Sequence, residues 1–178
     1  MLTAALILYG LVTGALTGTF GEYWIHRLMH RGLVLARAHG EHHREGTGQG
    51  VFKEFRDYAI GSMLASFLVL PVDVFFLSGG VLGVSLIAGS LLHAIFAAWC
   101  HQAHHEDPRL MPWLARTPVH FVHHQRAQAR HNFGISVDWW DRLFGTYRPE
   151  PDWRSLMDAN APRRSPWQLD WFPRRAQG

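Results

Sequence analysis

Five histidines, His26, His30, His39, His42 and His43, crowd into residues 26 to 43, and the other eight of the chain's 13 all fall between residues 93 and 131. Surface histidines without a task would be spread more evenly. His26-Arg-Leu-Met-His30 is an i, i+4 pair whose side chains, on a helix, stand about 40° apart on one face. His39-Gly-Glu-His42-His43 combines i, i+3 and i+4 within a sector of about 100°, and His120-Phe-Val-His123-His124 repeats that spacing. In His101-Gln-Ala-His104-His105 the pair His101 and His105 shares a face, while His104 is turned about 60° away from His101. Four clusters at helical spacing give ten imidazoles able to converge. Ten exceed the four ligands of one tetrahedral zinc and suit two ions with roughly five nitrogen donors each. Imidazole accepts zinc, copper or iron, and iron becomes the preferred ion if the reaction is oxidative. The single Cys100 excludes an intramolecular disulfide and a thiolate cluster.

The elements that must position these rings are apolar. The mean hydropathy of −0.06 averages long uncharged runs with stretches dense in Arg, Asp, Glu and His. Residues 2–20 carry no charge and, as a helix, would extend roughly 28 Å, close to a bilayer's hydrocarbon thickness. The lack of a basic flank after Met1 favours a membrane span over a cleaved signal. Gly10, Gly14 and Gly18 recur every four residues, either as a small-xxx-small face for close helix approach or as incidental small residues; both readings stand. Residues 58–78 and 81–100 form two further apolar arms joined by Gly79-Gly80, which predicts a helical hairpin. Pro71 and Asp73 lie toward its turn, where Asp73 reads as an interfacial residue. The expected fold is an all-α integral membrane protein with about three transmembrane helices and a cytoplasmic helical cap holding a histidine-rich dimetal site.

With three spans, the segment 21–57 and everything after Cys100 share one aqueous side. Arg27, Arg31, Arg37, Arg44, Lys53 and Arg56, and at the far end Arg163, Arg164, Arg174 and Arg175, make that side cytoplasmic by the positive-inside rule. The pI of about 9.5 therefore reflects topology and anionic lipid, and no nucleic acid is expected as a partner. Arg109 to Thr117 is too short to cross and is expected to lie in the interface. Trp139, Trp140, Trp153, Trp167 and Trp171 read as interfacial anchors. Residues 1–150 read as the functional domain and 151–178 as a Pro/Arg-rich C-terminal tail, with the chain expected to be loose from about 149 on. The bias to Arg, with Lys53 the one lysine, favours a bacterial inner membrane over an ER membrane.

The order HRLMH, HGEHH, HQAHH, HFVHH, followed by HNFGISVDWWDRLFGTY, resembles the membrane-bound fatty acid hydroxylase and sterol desaturase superfamily over roughly residues 16–150. The closing WDRLFGTY, residues 140–147, matches that superfamily better than the related carotenoid ring hydroxylases, which remain the alternative of the same chemistry. The resemblance implies a non-haem di-iron centre, with zinc able to replace iron in purified protein. That centre would use O2 to hydroxylate or desaturate a lipid C–H bond. Electrons would come from a cytochrome b5, ferredoxin or reductase. It implies as metal ligands His26, His30, His39, His42, His43, His101, His105, His120, His123 and His124.

His104 and His131 are candidates for supporting or occasional ligation. Glu22, Glu41, Asp138 and Asp141 are candidates to accept the remaining N–H of ligand imidazoles. His93, about 12 Å deeper along its helix than His101, reads as a buried polar contact or a substrate-channel residue. Many relatives have four spans, so part of the lipid-facing wall could come from another subunit of a homo-oligomer. Two readings of another class remain open, a non-oxidative zinc-binding protein and a bis-His haem protein.

Overall fold

A computed structural model describes residues 1–172, apart from the side chains at 63 and 65–68. The expectation on Arg174 and Arg175 lies outside the described residues. Helices make up all the regular structure among these residues: α1 (Leu2–His30), α2 (Ala36–Glu45), α3 (Val51–Phe76), α4 (Val81–Glu106), α5 (Val119–Gln125) and α6 (Trp139–Leu143). Among the described residues, α1 and α4 are long and apolar enough to cross a membrane.

Helix α4 is the central element and packs along both α1 and α3. Its seam with α1 explains the glycine spacing. A Cβ on Gly10 would press on Ser85, one on Gly14 would overlap the carbonyl of Leu86, one on Gly18 would enter the ring of His93, and one on Gly89 would overlap the carbonyl of Leu11. The paired positions rise together along the two helices, so α1 and α4 run parallel in close backbone contact, and their histidine-bearing ends emerge side by side. Their outer faces leave Leu8, Val12, Leu16, Val84, Leu92 and Phe96 exposed, a surface that an apolar solvent would cover.

The hairpin forms as expected, with Gly79 and Gly80 both at positive φ. Asp73 sits at the turn as a buried clasp. Its carboxylate accepts from the Ser78 hydroxyl at 2.7 Å and from the Gly83 backbone N–H at 2.7 Å, satisfying an orphan amide in the first turn of α4.

The second half is held to the rest by core contacts of its own. The 109–117 segment folds as two single 3₁₀ turns whose Met111 and Leu114 enter the main core with Cys100, Val119 and Ile135, although Trp113 stays exposed. The described residues after 149 pack onto the rest of the fold. Trp153 is buried beside Phe121 and Val122 and donates its Nε1–H to the Ala115 carbonyl at 2.9 Å, so it is a core residue rather than an anchor. Leu169 joins the main core. The first amides of α3, at Val51 and Phe52, donate to the carbonyls of Asp170 and Trp171 at 3.1 and 3.0 Å. Arg164 pairs with Glu106 at 3.0 Å.

Candidate metal centre

The ends of α1 and α4, the whole of α2 and the short α5 meet at one place. There the ten histidines of the four clusters separate into two groups of five. His26, His30, His39, His43 and His123 form one, and His42, His101, His105, His120 and His124 form the other; in each, the candidate ligand atoms lie within 4.8 Å of one another. Helix α1 gives both its histidines to the first group and α4 gives His101 and His105 to the second, whereas α2 and α5 divide theirs according to face. On α2, His39 and His43, an i, i+4 pair, turn to the first group while His42 turns to the second. On α5, His123 serves the first group, and His120 and His124 the second. The two groups adjoin, with the rings of His43 and His124 stacked at 4.0 Å.

The first group fits a cation. Nε2 of His30 lies 2.9 Å from that of His39, which lies 3.0 Å from that of His43. Nε2 of His123 closes the circuit at 3.2 Å from His43 and 2.8 Å from His30. The Nδ1 of His123 donates to the His131 carbonyl at 2.8 Å, and the Nδ1 of His26 donates to the Phe133 carbonyl at 2.7 Å. A carbonyl can only accept, so these two neutral rings carry their proton on Nδ1 and aim a bare Nε2 inward. The Nε2 of His26 is buried without a hydrogen-bond partner. Nitrogens converging in this way satisfy one another poorly and a metal ion well.

The second group behaves alike. Nε2 of His105 and of His42 approach to 3.2 Å. Both nitrogens of His120, Nδ1 of His42 and Nε2 of His124 are buried without partners. The Nδ1 of His105 donates to the Gly46 carbonyl at 3.2 Å, and Glu54 Oε2 is in contact with the Nδ1 of His101. Burial first and neighbouring imidazoles second press His39 down to about 3 and His42 to about 2. The same causes hold His120 and His124 far below the ordinary histidine range. The rings are therefore neutral at physiological pH, the form that binds metal. Burial raises Glu54 to about 7, an effect that a nearby dication would oppose.

The remaining candidates occupy other places. His104 is engaged at both nitrogens: Nε2 donates to the Ile135 carbonyl at 2.9 Å and Nδ1 accepts the Phe121 backbone N–H at 3.1 Å. His131 touches the centre through its carbonyl. His93 is buried beside Ser136 Oγ at 3.2 Å and Glu22 Oε2 at 3.3 Å. None of the four nominated carboxylates meets one of the ten rings among the described residues. Glu41 pairs with Arg37 at 3.2 Å and Asp138 with Arg142 at 2.7 Å, both toward solvent. Asp141 accepts the amides of Phe133 and Gly134 at 2.8 and 2.7 Å, and Glu22 those of Ile135 and Ser136 at 2.6 and 2.8 Å.

These two buried carboxylates thus grip the 133–136 loop, whose carbonyls orient His26 and His104. Sequence reasoning missed Glu54. It lies 47 positions before His101 on a different helix, among the charged residues Lys53, Arg56 and Asp57 that precede the apolar run 58–78, where nothing in the sequence sets it apart.

Residues 11–146 match the family model described as fatty acid hydroxylase. The chain is 30% identical over 142 residues to an alkylglycerol monooxygenase of Danio rerio, covering 74% of this chain and 29% of that protein. It is 30% identical over 153 residues to the ornithine lipid hydroxylase OlsE of Rhizobium tropici, covering 80% and 43%. To a Delta(7)-sterol 5(6)-desaturase of Aspergillus fumigatus it is 26% identical over 136 residues, covering 72% and 36%. The chain spans less than half the length of these curated relatives. No solved structure matches. The matched stretch contains all ten converging histidines and the loop that steadies them, and the chain belongs to the fatty acid hydroxylase family, whose members include lipid hydroxylases and sterol desaturases.

Proposed function

We propose that the protein is a membrane-bound di-iron oxygenase that hydroxylates or desaturates an unactivated C–H bond of a lipid, using O2 and electrons from a separate donor protein. The observation that carries this reading is the division of ten neutral imidazoles into two adjoining groups of five. Five nitrogens per group exceed what a tetrahedral zinc takes, and iron is the imidazole-binding metal that adds redox chemistry. Two iron ions would supply O2 activation there. His26, His30, His39, His43 and His123 would hold one, and His42, His101, His105, His120 and His124 the other. His104, with both nitrogens bound to backbone, would hold neither.

The chain's own part is to orient and to enclose. The carbonyls of Gly46, His131 and Phe133 fix ring tautomers, and Glu54 sits against His101. Five of the ten rings are buried and the other five half-buried, which limits the access of water to the reaction. The segment 58–78, most of it in α3 where that helix packs along α4, is read as the third span, and the basic segments favour the cytoplasmic face for the centre. Substrate would approach from the lipid side, where α1 and α4 carry their exposed apolar faces. A haem held between spans is disfavoured, because His93, the one histidine within the apolar runs, is occupied by Glu22 and Ser136.

Lipid mass spectrometry of a host producing the protein, beside one producing His123→Ala, tests the activity. The reading expects hydroxylated or newly unsaturated lipids with the unsubstituted protein alone. Identical lipids in both, with the protein iron-loaded and a reductant system present, would contradict it.

A further inference from the structure

The two groups of five are steadied by different parts of the chain. Around His26 the support is the loop 131–136. Its carbonyls at His131 and Phe133 take the Nδ1 protons of His123 and His26, while Asp141 and Glu22 hold its amides. The negative charges there act at one remove, and what touches the imidazoles is neutral. Around His101 the support is the linker 46–50 with the first turn of α3. The Gly46 carbonyl takes the Nδ1 proton of His105. Gly50 N–H donates to Gln102 Oε1 at 2.8 Å, and a Cβ on Gly48 would overlap the Gln102 amide, so the linker lies directly on α4. Gln49 N–H donates to Glu54 Oε1 at 3.0 Å. That leaves Glu54 Oε2 against His101 Nδ1, and neither atom has another partner. Among the described residues Glu54 is the one carboxylate in contact with any of the ten rings.

We infer that the two metal positions are inequivalent, the His101 group holding its ion more tightly through an anionic clamp in which Glu54 is a positioning residue, and the His26 group relying on a neutral carbonyl clamp. The inference rests on the reading that each group holds one iron ion. A carboxylate at the outer nitrogen makes the inner nitrogen a stronger donor and places a negative charge near the dication, whereas a carbonyl gives orientation without charge. Glu54→Gln keeps the shape of the clamp and an acceptor oxygen and removes the charge.

The protein and its Glu54→Gln variant, loaded anaerobically with ⁵⁷Fe(II) and titrated with a chelator, test the inference by Mössbauer spectroscopy. His30→Ala and His105→Ala assign the two ferrous signals. The unsubstituted protein is expected to show two distinct signals and to release the His26-group iron first. Glu54→Gln should weaken the His101-group iron by about 10- to 100-fold, reverse the order of release and leave the other signal in place. Parallel release of both irons from the unsubstituted protein, or a variant that changes neither signal or both alike, would overturn the inference. If the variant does not fold, the order of release from the unsubstituted protein decides alone. Fewer than two irons bound by the unsubstituted protein would refute the proposed di-iron function instead, so the two failures are distinguishable.

Discussion

The Nδ1 of His123 lies 2.8 Å from the carbonyl oxygen of His131. What His131 offers the centre is its peptide group, which any residue would supply. His131→Ala is therefore expected to retain the iron content of the unsubstituted protein, and His123→Ala to lose at least the iron of the His26 group. Elemental analysis of anaerobically loaded protein separates the two. Equal loss in both variants would make the His131 ring a ligand.

His104 holds Ile135 and Phe121 through its two nitrogens, and it is 1% exposed. His104→Ala leaves a buried donor and a buried acceptor unmatched, at about 1–3 kcal/mol for each. A lower thermal midpoint with near-normal iron per folded chain is expected. His101→Ala and His105→Ala should show the opposite pattern, with iron lost out of proportion to stability.

The α1–α4 seam has no room at Gly14, where a Cβ would overlap backbone, whereas Gly21 on the same helix has nothing within 4 Å. Gly14→Ala must push the helices apart and should cost about 1–3 kcal/mol. Gly21→Ala should stabilise by about 0.5–1 kcal/mol, since it removes backbone freedom from a helix interior without a clash. Thermal unfolding in a single detergent compares them, and equal effects would contradict the close parallel packing.

Leu169 is 3% exposed and sits in the core with Cys100 and Met111. Leu169→Ala should cost about 2–4 kcal/mol, as truncation of a buried leucine does. Limited proteolysis should then cut first in the segment 160–172. No change in stability would restore the reading of this region as a loose tail.

The parts of the molecule that were legible from sequence are those with a period. The i, i+3 and i, i+4 spacings marked the ten histidines that converge, and the spacing of Gly10, Gly14 and Gly18 held the α1–α4 seam as one of two readings. Sequence could not tell that α2 splits its histidines between the groups, because that depends on how the helix lies across the ends of α1 and α4. The orienting carbonyls of Gly46, His131 and Phe133 carry no side-chain signal at all. Glu22 and Asp141 were nominated as direct partners of the rings, yet they act on the amides of a loop between them and the centre. Trp153 and Leu169 fill the core from short 3₁₀ turns or their ends, which show no hydrophobic period to mark them in the sequence.

The most direct test of the account is the iron stoichiometry of the unsubstituted protein purified and loaded without oxygen, measured with its O2 uptake on adding reductant and lipid. Two irons per chain, with O2 uptake that disappears when the irons are chelated, is the predicted result. A single metal per chain, or two zinc ions with no O2 uptake, would contradict the di-iron oxygenase.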